Sequence, residues 1–251
     1  LPATPNKACY LGMFSDCTSL TVAPELPATT LADECYYAMF EGCTSLVKAP
    51  ELPATNLSER CYYEMFKDCI SLTTPSELLS TTLKGACYSN MFYGCINLLT
   101  APALPAMTLA YSCYNQMFKG CTSLVNAPAL PATELASYCY MSMFMGCTSL
   151  VNAPELPATT LVDYCYQSMF RGCTSLVNAP KLPATTLAYN CYGYMFAGCS
   201  NLLYVKAMFL TTPNSNYTDF WLSNVSSKGT FIKNGSAEWD VRGPSGIPNG
   251  W

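Results

Sequence analysis

Sixteen cysteines divide the chain into eight copies of one 26-residue unit. The first cysteine of the unit recurs every 26 residues from Cys9 to Cys191, and the second does so from Cys17 to Cys199. A Tyr follows each first cysteine, a Met-Phe pair begins four residues after it, and a Leu stands three residues after each second cysteine. A fixed period of this length is typical of stacked units that contact only their neighbours. It leaves no space for a separate globular domain within residues 1–207.

The second copy shows how one unit is expected to fold. Leu31, Cys35, Met39 and Cys43 lie four residues apart, a spacing that predicts one apolar stripe of a short helix. We expect this helix to end near Gly42, because glycine adopts the left-handed conformation common at helix C-termini. The following Leu46 to Pro50 segment predicts a short strand, and Leu-Pro-Ala-Thr predicts a turn into the next unit.

The recurring phrase Cys-Tyr-x-x-Met-Phe-x-Gly-Cys-Thr-Ser-Leu resembles the core of the BspA-like leucine-rich repeats of bacterial surface proteins. Phe40, Cys43 and Leu46 match the Phe, Cys and Leu of that family, whereas Cys35 and Met39 replace its usual Ile and Ala. The resemblance implies a right-handed solenoid, a cell-surface location, and adhesion or partner binding in place of catalysis.

The predicted fold class is therefore an α/β repeat. It is a right-handed leucine-rich-repeat solenoid of eight 26-residue coils, each a short strand, a turn and a short helix, over residues 1–207. Residues 208–251 lack the repeat and hold all three tryptophans. We predict that they form a small C-terminal cap with a short helix begun by Thr218 and Asp219 and a β-hairpin around Asn234 and Gly235. The alternative for this segment is a carbohydrate-binding platform built on the tryptophans.

Composition excludes several classes of function. The chain has no histidine, which removes His-based catalytic triads and imidazole metal sites, and its net charge is −4. An acidic chain lacks the positive field that nucleic-acid binding needs. The cysteine gaps of 8 and 18 residues contain no C-x-x-C pair, so we expect no metal site, no cofactor and no enzymatic activity. The sequence contains no run of about 18 apolar residues and therefore predicts no membrane-spanning helix.

The redox state of the cysteines has two interpretations. An even number of cysteines in an exported protein is consistent with a disulfide framework. Both cysteines of each unit also lie on the predicted buried stripe, where a free cysteine behaves as a small apolar residue. We favour sixteen free, buried thiols.

Two sets of varying residues are candidate partner-binding positions. One is a polar row on the predicted strand face, formed by Asn126, Asn152 and Asn178. The other is a group of tyrosines just before the first cysteine of the later units, formed by Tyr111, Tyr138, Tyr164 and Tyr189. Tyrosine offers large contact area at small entropic cost and is enriched in binding sites.

The predicted function is a noncatalytic, monomeric binding or adhesion scaffold on a bacterial cell surface, facing a protein or glycan partner. Its signal or anchor is expected to lie outside this chain. The alternatives are a carbohydrate-binding module that uses the C-terminal tryptophans and a purely architectural spacer.

Overall fold

In the computed structural model, which describes residue 1 and residues 3–251, the chain winds into coils whose equivalent residues lie side by side. Parallel bridges join residues 26 apart, as between Lys48 and Thr74 or between Asn126 and Asn152. The stacked coils thus follow the sequence period. Leu46 and Leu124 are fully buried.

Each coil carries a run of β-turns where a helix was predicted. In coil two this turn segment covers residues 33–42, and equivalent segments recur in all eight coils. No α-helix occurs among residue 1 and residues 3–251, and the strands are β1 (Tyr204–Ala207) and β2 (Thr230–Lys233). The absence of this helix corrects the predicted strand-turn-helix unit. Most of the predicted strands are reduced to single bridges.

The hydrogen bonds of the turn segment alternate between two directions. In coil two the amide N–H of Tyr37 donates to Glu34 O in the same turn at 3.2 Å, whereas the next amide, of Ala38, donates to Tyr63 O of coil three at 2.8 Å. This alternation repeats along the segment, so five amides close turns and five join the next coil. The backbone polar groups of the segment are satisfied without a helix.

A left-handed residue stands at every fourth position of the turn segment. In coil two these residues are Glu34, Ala38 and Gly42, with φ of 57°, 49° and 69°. The third of these positions is glycine in six coils and aspartate in the other two, Asp16 and Asp68. Aspartate tolerates the left-handed region better than most residues. The Asp16 carboxylate fills the space that a Cβ on Gly42 would need, and Asp68 does the same at Gly94, so in coils one to four each aspartate is followed by a glycine in the next coil.

The core consists of parallel columns of identical side chains. Eight phenylalanines, from Phe14 to Phe196, stack with ring centroids 5.5–5.8 Å apart. Eight tyrosines, from Tyr10 to Tyr192, form a second stack at 5.5–6.0 Å. Both cysteines and the methionine of coils two to eight are fully buried in the same core.

The C-terminal residues extend the stack by a ninth coil in backbone terms. A turn segment over residues 215–224 follows the eighth at the same 26-residue distance, with Phe220 and Asn224 left-handed. The predicted helix after Thr218 is absent. Strand β2 pairs in parallel with β1, so the predicted hairpin around Asn234 is also wrong. The division into a solenoid of residues 1–207 and a cap of residues 208–251 stays a prediction.

Candidate functional site

The asparagine row lies on the outer surface of coils five to seven. Asn126, Asn152 and Asn178 are exposed and joined in sequence by parallel bridges, and a further bridge continues the row to Tyr204. Beside the row, Val125, Val151 and Val177 are also exposed. The structure thus brings the three predicted asparagines together in one row, beside a row of small apolar side chains.

The tyrosine row is continuous over coils five to eight. The rings of Tyr111 and Tyr138 meet edge to face at 5.5 Å. Those of Tyr138 and Tyr164 stack at 4.6 Å, and Tyr164 meets Tyr189 edge to face at 5.3 Å. The end members Tyr111 and Tyr189 are 60% and 50% exposed. The positions of the four tyrosines in the repeat do not by themselves reveal these ring contacts. Tyr138 and Tyr164 occupy left-handed positions, whereas Tyr111 and Tyr189 each precede such a position.

Tyr164 shows how the packing of the row acts on a phenol. Desolvation, and then the neighbouring Tyr189, raise the pKa of Tyr164 above its ordinary value. This shift favours the protonated hydroxyl of Tyr164. Tyrosine rings of this kind offer a partner both apolar area and a hydrogen-bonding group.

The cysteines are placed for packing and hydrogen bonding. From Cys43 to Cys199, the second cysteine of each coil donates its thiol to the carbonyl of the phenylalanine in the coil before it, at 3.0–3.1 Å. The sequence interpretation treated these thiols as apolar and missed this donor role. A residue that is small enough for the column and still donates a proton is a reason for cysteine at this position.

Burial also makes these thiols poor nucleophiles and poor metal ligands. Desolvation raises the pKa of Cys35, Cys87 and Cys147 to about 12, and the thiolate is the reactive form. Within residue 1 and residues 3–251, no cluster of three or more potential ligands could hold a metal ion. Cys9 and Cys17 of coil one are exposed, which corrects the expectation that all sixteen thiols are buried.

The three tryptophans serve the packing of the C-terminal residues. Trp221 is fully buried 6.3 Å from the Tyr192 ring, and Trp239 is nearly so. The indole N–H groups of Trp221, Trp239 and Trp251 each donate to a backbone carbonyl, at 2.8, 3.2 and 2.8 Å. An exposed tryptophan platform for carbohydrate is therefore not what this segment forms, and that alternative is wrong.

Comparison with known proteins identifies the repeat. The family model for the BspA type leucine-rich-repeat region matches in six copies, over residues 10–124, 38–152 and 87–217. A crystal structure of a leucine-rich repeat protein from Bacteroides ovatus is similar, with 20% sequence identity and a TM-score of 0.41. The likeness covers 89% of this chain and 62% of that one, so this chain spans less than two thirds of its length. No curated protein matches the sequence. The described residues contain no helix long and apolar enough to cross a membrane.

Proposed function

Because the chain belongs to the BspA-type leucine-rich-repeat family, we propose that it is a noncatalytic binding scaffold at a bacterial cell surface. One face of its solenoid binds a protein partner. The family is generally non-enzymatic and typically surface-associated. A fold does not fix a function, so the proposal depends on the surface of this chain.

The continuous tyrosine row carries the proposal. The core tyrosines, from Tyr10 to Tyr192, already form a stack inside the coils. Tyr111, Tyr138, Tyr164 and Tyr189 are additional rings that touch one another on the outside. Tyr111 and Tyr189 are exposed, and Tyr138 and Tyr164 are partly buried. Tyrosines in contact at a surface supply the rigid, amphipathic area from which protein interfaces are built. The asparagine row offers a second, more polar strip on the same coils.

A binding experiment with two matched sets of variants tests the proposal. One variant replaces the four tyrosines of the row by Ser, and the other replaces Asn126, Asn152 and Asn178 by Arg. Both sets are outside the core columns, so circular dichroism and melting should match the parent. The parent should bind immobilised host matrix proteins or cells, and one of the two variants should lose that binding.

The outcomes separate the hypotheses. Loss in the tyrosine variant alone assigns the interface to the tyrosine row. Loss of binding in the asparagine variant alone assigns the interface to the asparagine row. Equal binding by the parent and both variants would show that coils five to eight are not the recognition surface. Absence of binding by the parent would favour the architectural spacer.

A further inference from the structure

The turn face of coils two to five contains a groove that the tyrosine row does not explain. Its volume is about 410 Å³, and its lining includes Tyr37, Tyr63, Ser89, Asn90 and Asn115. Only Tyr111, at its far end, also belongs to the tyrosine row.

The groove begins where an aromatic stack stops. The position two residues after the first cysteine is Tyr37 in coil two and Tyr63 in coil three, and their rings stack at 4.7 Å with an interplanar angle of 17°. The same position is Ser89 in coil four. Serine is too short to continue the stack, so no ring of this column covers the coil-four face of Tyr63.

Polar groups held in fixed orientations line the space next to this ring. Asn90, which is nearly buried, donates its amide N–H groups to the Tyr63 hydroxyl at 3.1 Å and to Glu64 Oε1 at 3.4 Å. The hydroxyl of Ser89, also nearly buried, donates to Asn115 O at 3.2 Å. The Gln116 amide donates to the Asn115 side-chain oxygen at 3.0 Å. These contacts order the side chains and leave the Asn90 amide oxygen and the Asn115 amide N–H groups for a ligand.

Charge and size select among ligand classes. Arg60 is the cation of the lining, and it pairs with Glu34 at 3.5 Å. A phosphate or carboxylate ligand would therefore meet a single cation in the lining, and that cation already contacts a carboxylate. The gap from the Tyr63 ring to the equivalent position of coil five is two coil spacings, roughly 9–10 Å. That is wider than a flat base sandwiched between two rings needs, and it suits the thicker chair of a pyranose ring.

We propose that this groove binds a neutral saccharide chain, with one pyranose ring against the uncovered face of Tyr63. The C–H bonds of a sugar face carry partial positive charge, which the negative face of an aromatic ring attracts. The sugar hydroxyls are donors and acceptors that match the amides of Asn90, Asn115 and Gln116. The inference deepens the proposed scaffold role but uses a different surface.

The decisive variant fills the groove with the side chain that other coils already have at the equivalent position. Ser89→Tyr extends the Tyr37–Tyr63 stack by one ring, at a position that already holds tyrosine in two coils. The matched control is Gln167→Tyr, which places the same side chain at the equivalent position of coil seven, outside the groove. A second variant, Tyr63→Ala, removes the stacking face, and Tyr63→Phe keeps the face while removing the hydroxyl contact to Asn90.

Calorimetric titration with cellohexaose, maltohexaose and chitohexaose, each up to about 10 mM, gives the readout, and adenosine serves as a flat-ring probe. We expect at least one hexasaccharide to bind the parent and Gln167→Tyr equally. Ser89→Tyr should abolish that binding. Tyr63→Ala should weaken it by roughly tenfold, and Tyr63→Phe should weaken it less. Adenosine should not bind.

Failure has a clear form. Absence of binding by all three hexasaccharides overturns the proposal, as does unchanged binding in Ser89→Tyr or in Tyr63→Ala. Binding of adenosine without any hexasaccharide also overturns it. None of these results affects capture of a protein partner through Tyr138 and Tyr164, which lie outside the groove, so the two proposals fail separately.

Discussion

Coil one and coil eight have the same residues at most core positions but very different environments. In coil eight Cys191, Met195, Phe196 and Cys199 are fully buried, because residues 208–251 cover them. In coil one Met13 is 53% exposed and both cysteines are exposed, with one neighbouring coil in place of two. The apolar columns alone therefore do not bury a coil. Burial comes from having a neighbour on both sides.

The largest expected effect is the loss of stability at alkaline pH, and it arises from the coils other than the first. Burial raises the pKa of the cysteine thiols in coils two to eight, to about 11 for Cys43 and to about 12 for Cys191 and Cys199. The unfolded thiol has a pKa of ~8.5. Stability from the neutral buried thiols is complete below that value and is lost as pH rises toward the folded pKa values.

The free energy of unfolding is expected to fall by up to about 1.4 kcal/mol per fully buried thiol for each pH unit above ~8.5, and these losses add over the thiols. Denaturant unfolding at pH 7, 8, 9 and 10 measures it. A flat dependence between pH 8 and 10 would contradict the burial of the thiols.

Removal of residues 208–251 should make coil eight resemble coil one. Tyr192, Met195 and Phe196 lose their cover, so we predict fraying from this end, seen as faster amide hydrogen exchange in coils seven and eight, and concentration-dependent aggregation. Analytical ultracentrifugation and exchange measurements check both. A truncated chain that stays monomeric with an unchanged melting curve would show that the segment is an appendage rather than a cap.

Equivalent phenylalanine truncations should differ between the first coil and the middle of the stack. Phe118→Ala removes a fully buried ring that stacks on both sides, at 5.8 and 5.7 Å, and should cost about 3–5 kcal/mol. Phe14→Ala removes a partly buried ring with one stacking neighbour and should cost well under half as much. Urea unfolding of the two variants gives the comparison, and equal losses would contradict the difference between the coils.

Thiol labelling is the mildest of these tests, because it leaves the fold unchanged. Two equivalents, from Cys9 and Cys17, should react quickly in the native protein, and the other fourteen should react on denaturation without reductant. The total of sixteen tests the prediction that the thiols are free. A denatured total of eight or fewer would show a disulfide framework, and equal native rates at all sites would remove the distinction of coil one.

Much of the coil arrangement could be predicted from the cysteine period. The register of the coils, the buried Leu46 and Leu124, and the columns of Tyr, Met and Phe all follow from residues that recur at one distance. The prediction of a helix was wrong because a chain of β-turns also repeats its side-chain directions every four residues. A true α-helix drifts by about 40° over four residues, so the strict spacing of Cys35, Met39 and Cys43 favoured turns. The right-handed winding stays a prediction.

The candidate sites were harder to predict for two reasons. Two of the three contacts in the tyrosine row, Tyr111 with Tyr138 and Tyr164 with Tyr189, join positions that are not equivalent in the repeat. Alignment of the copies therefore hides these two contacts. The groove at Ser89 arises from a residue that is small where its neighbours are large. A signal existed in the change from Tyr63 to Ser89, but it becomes meaningful only when the coils are known to stack ring on ring.

The turn segments also have an electrical direction. Within these segments every amide that joins two coils, from Tyr10 and Phe14 in the first coil to Phe196 in the eighth, points its N–H toward the C-terminal end and meets a carbonyl that points back. Aligned peptide dipoles add along their common axis, as they do in a helix. In an α-helix the N–H groups face the N-terminus, whereas here they face the other way. The turn side of the solenoid therefore acts as a long dipole, with its partial positive pole at the last coil and its partial negative pole at the first, whereas amides on the bridged side point in both directions.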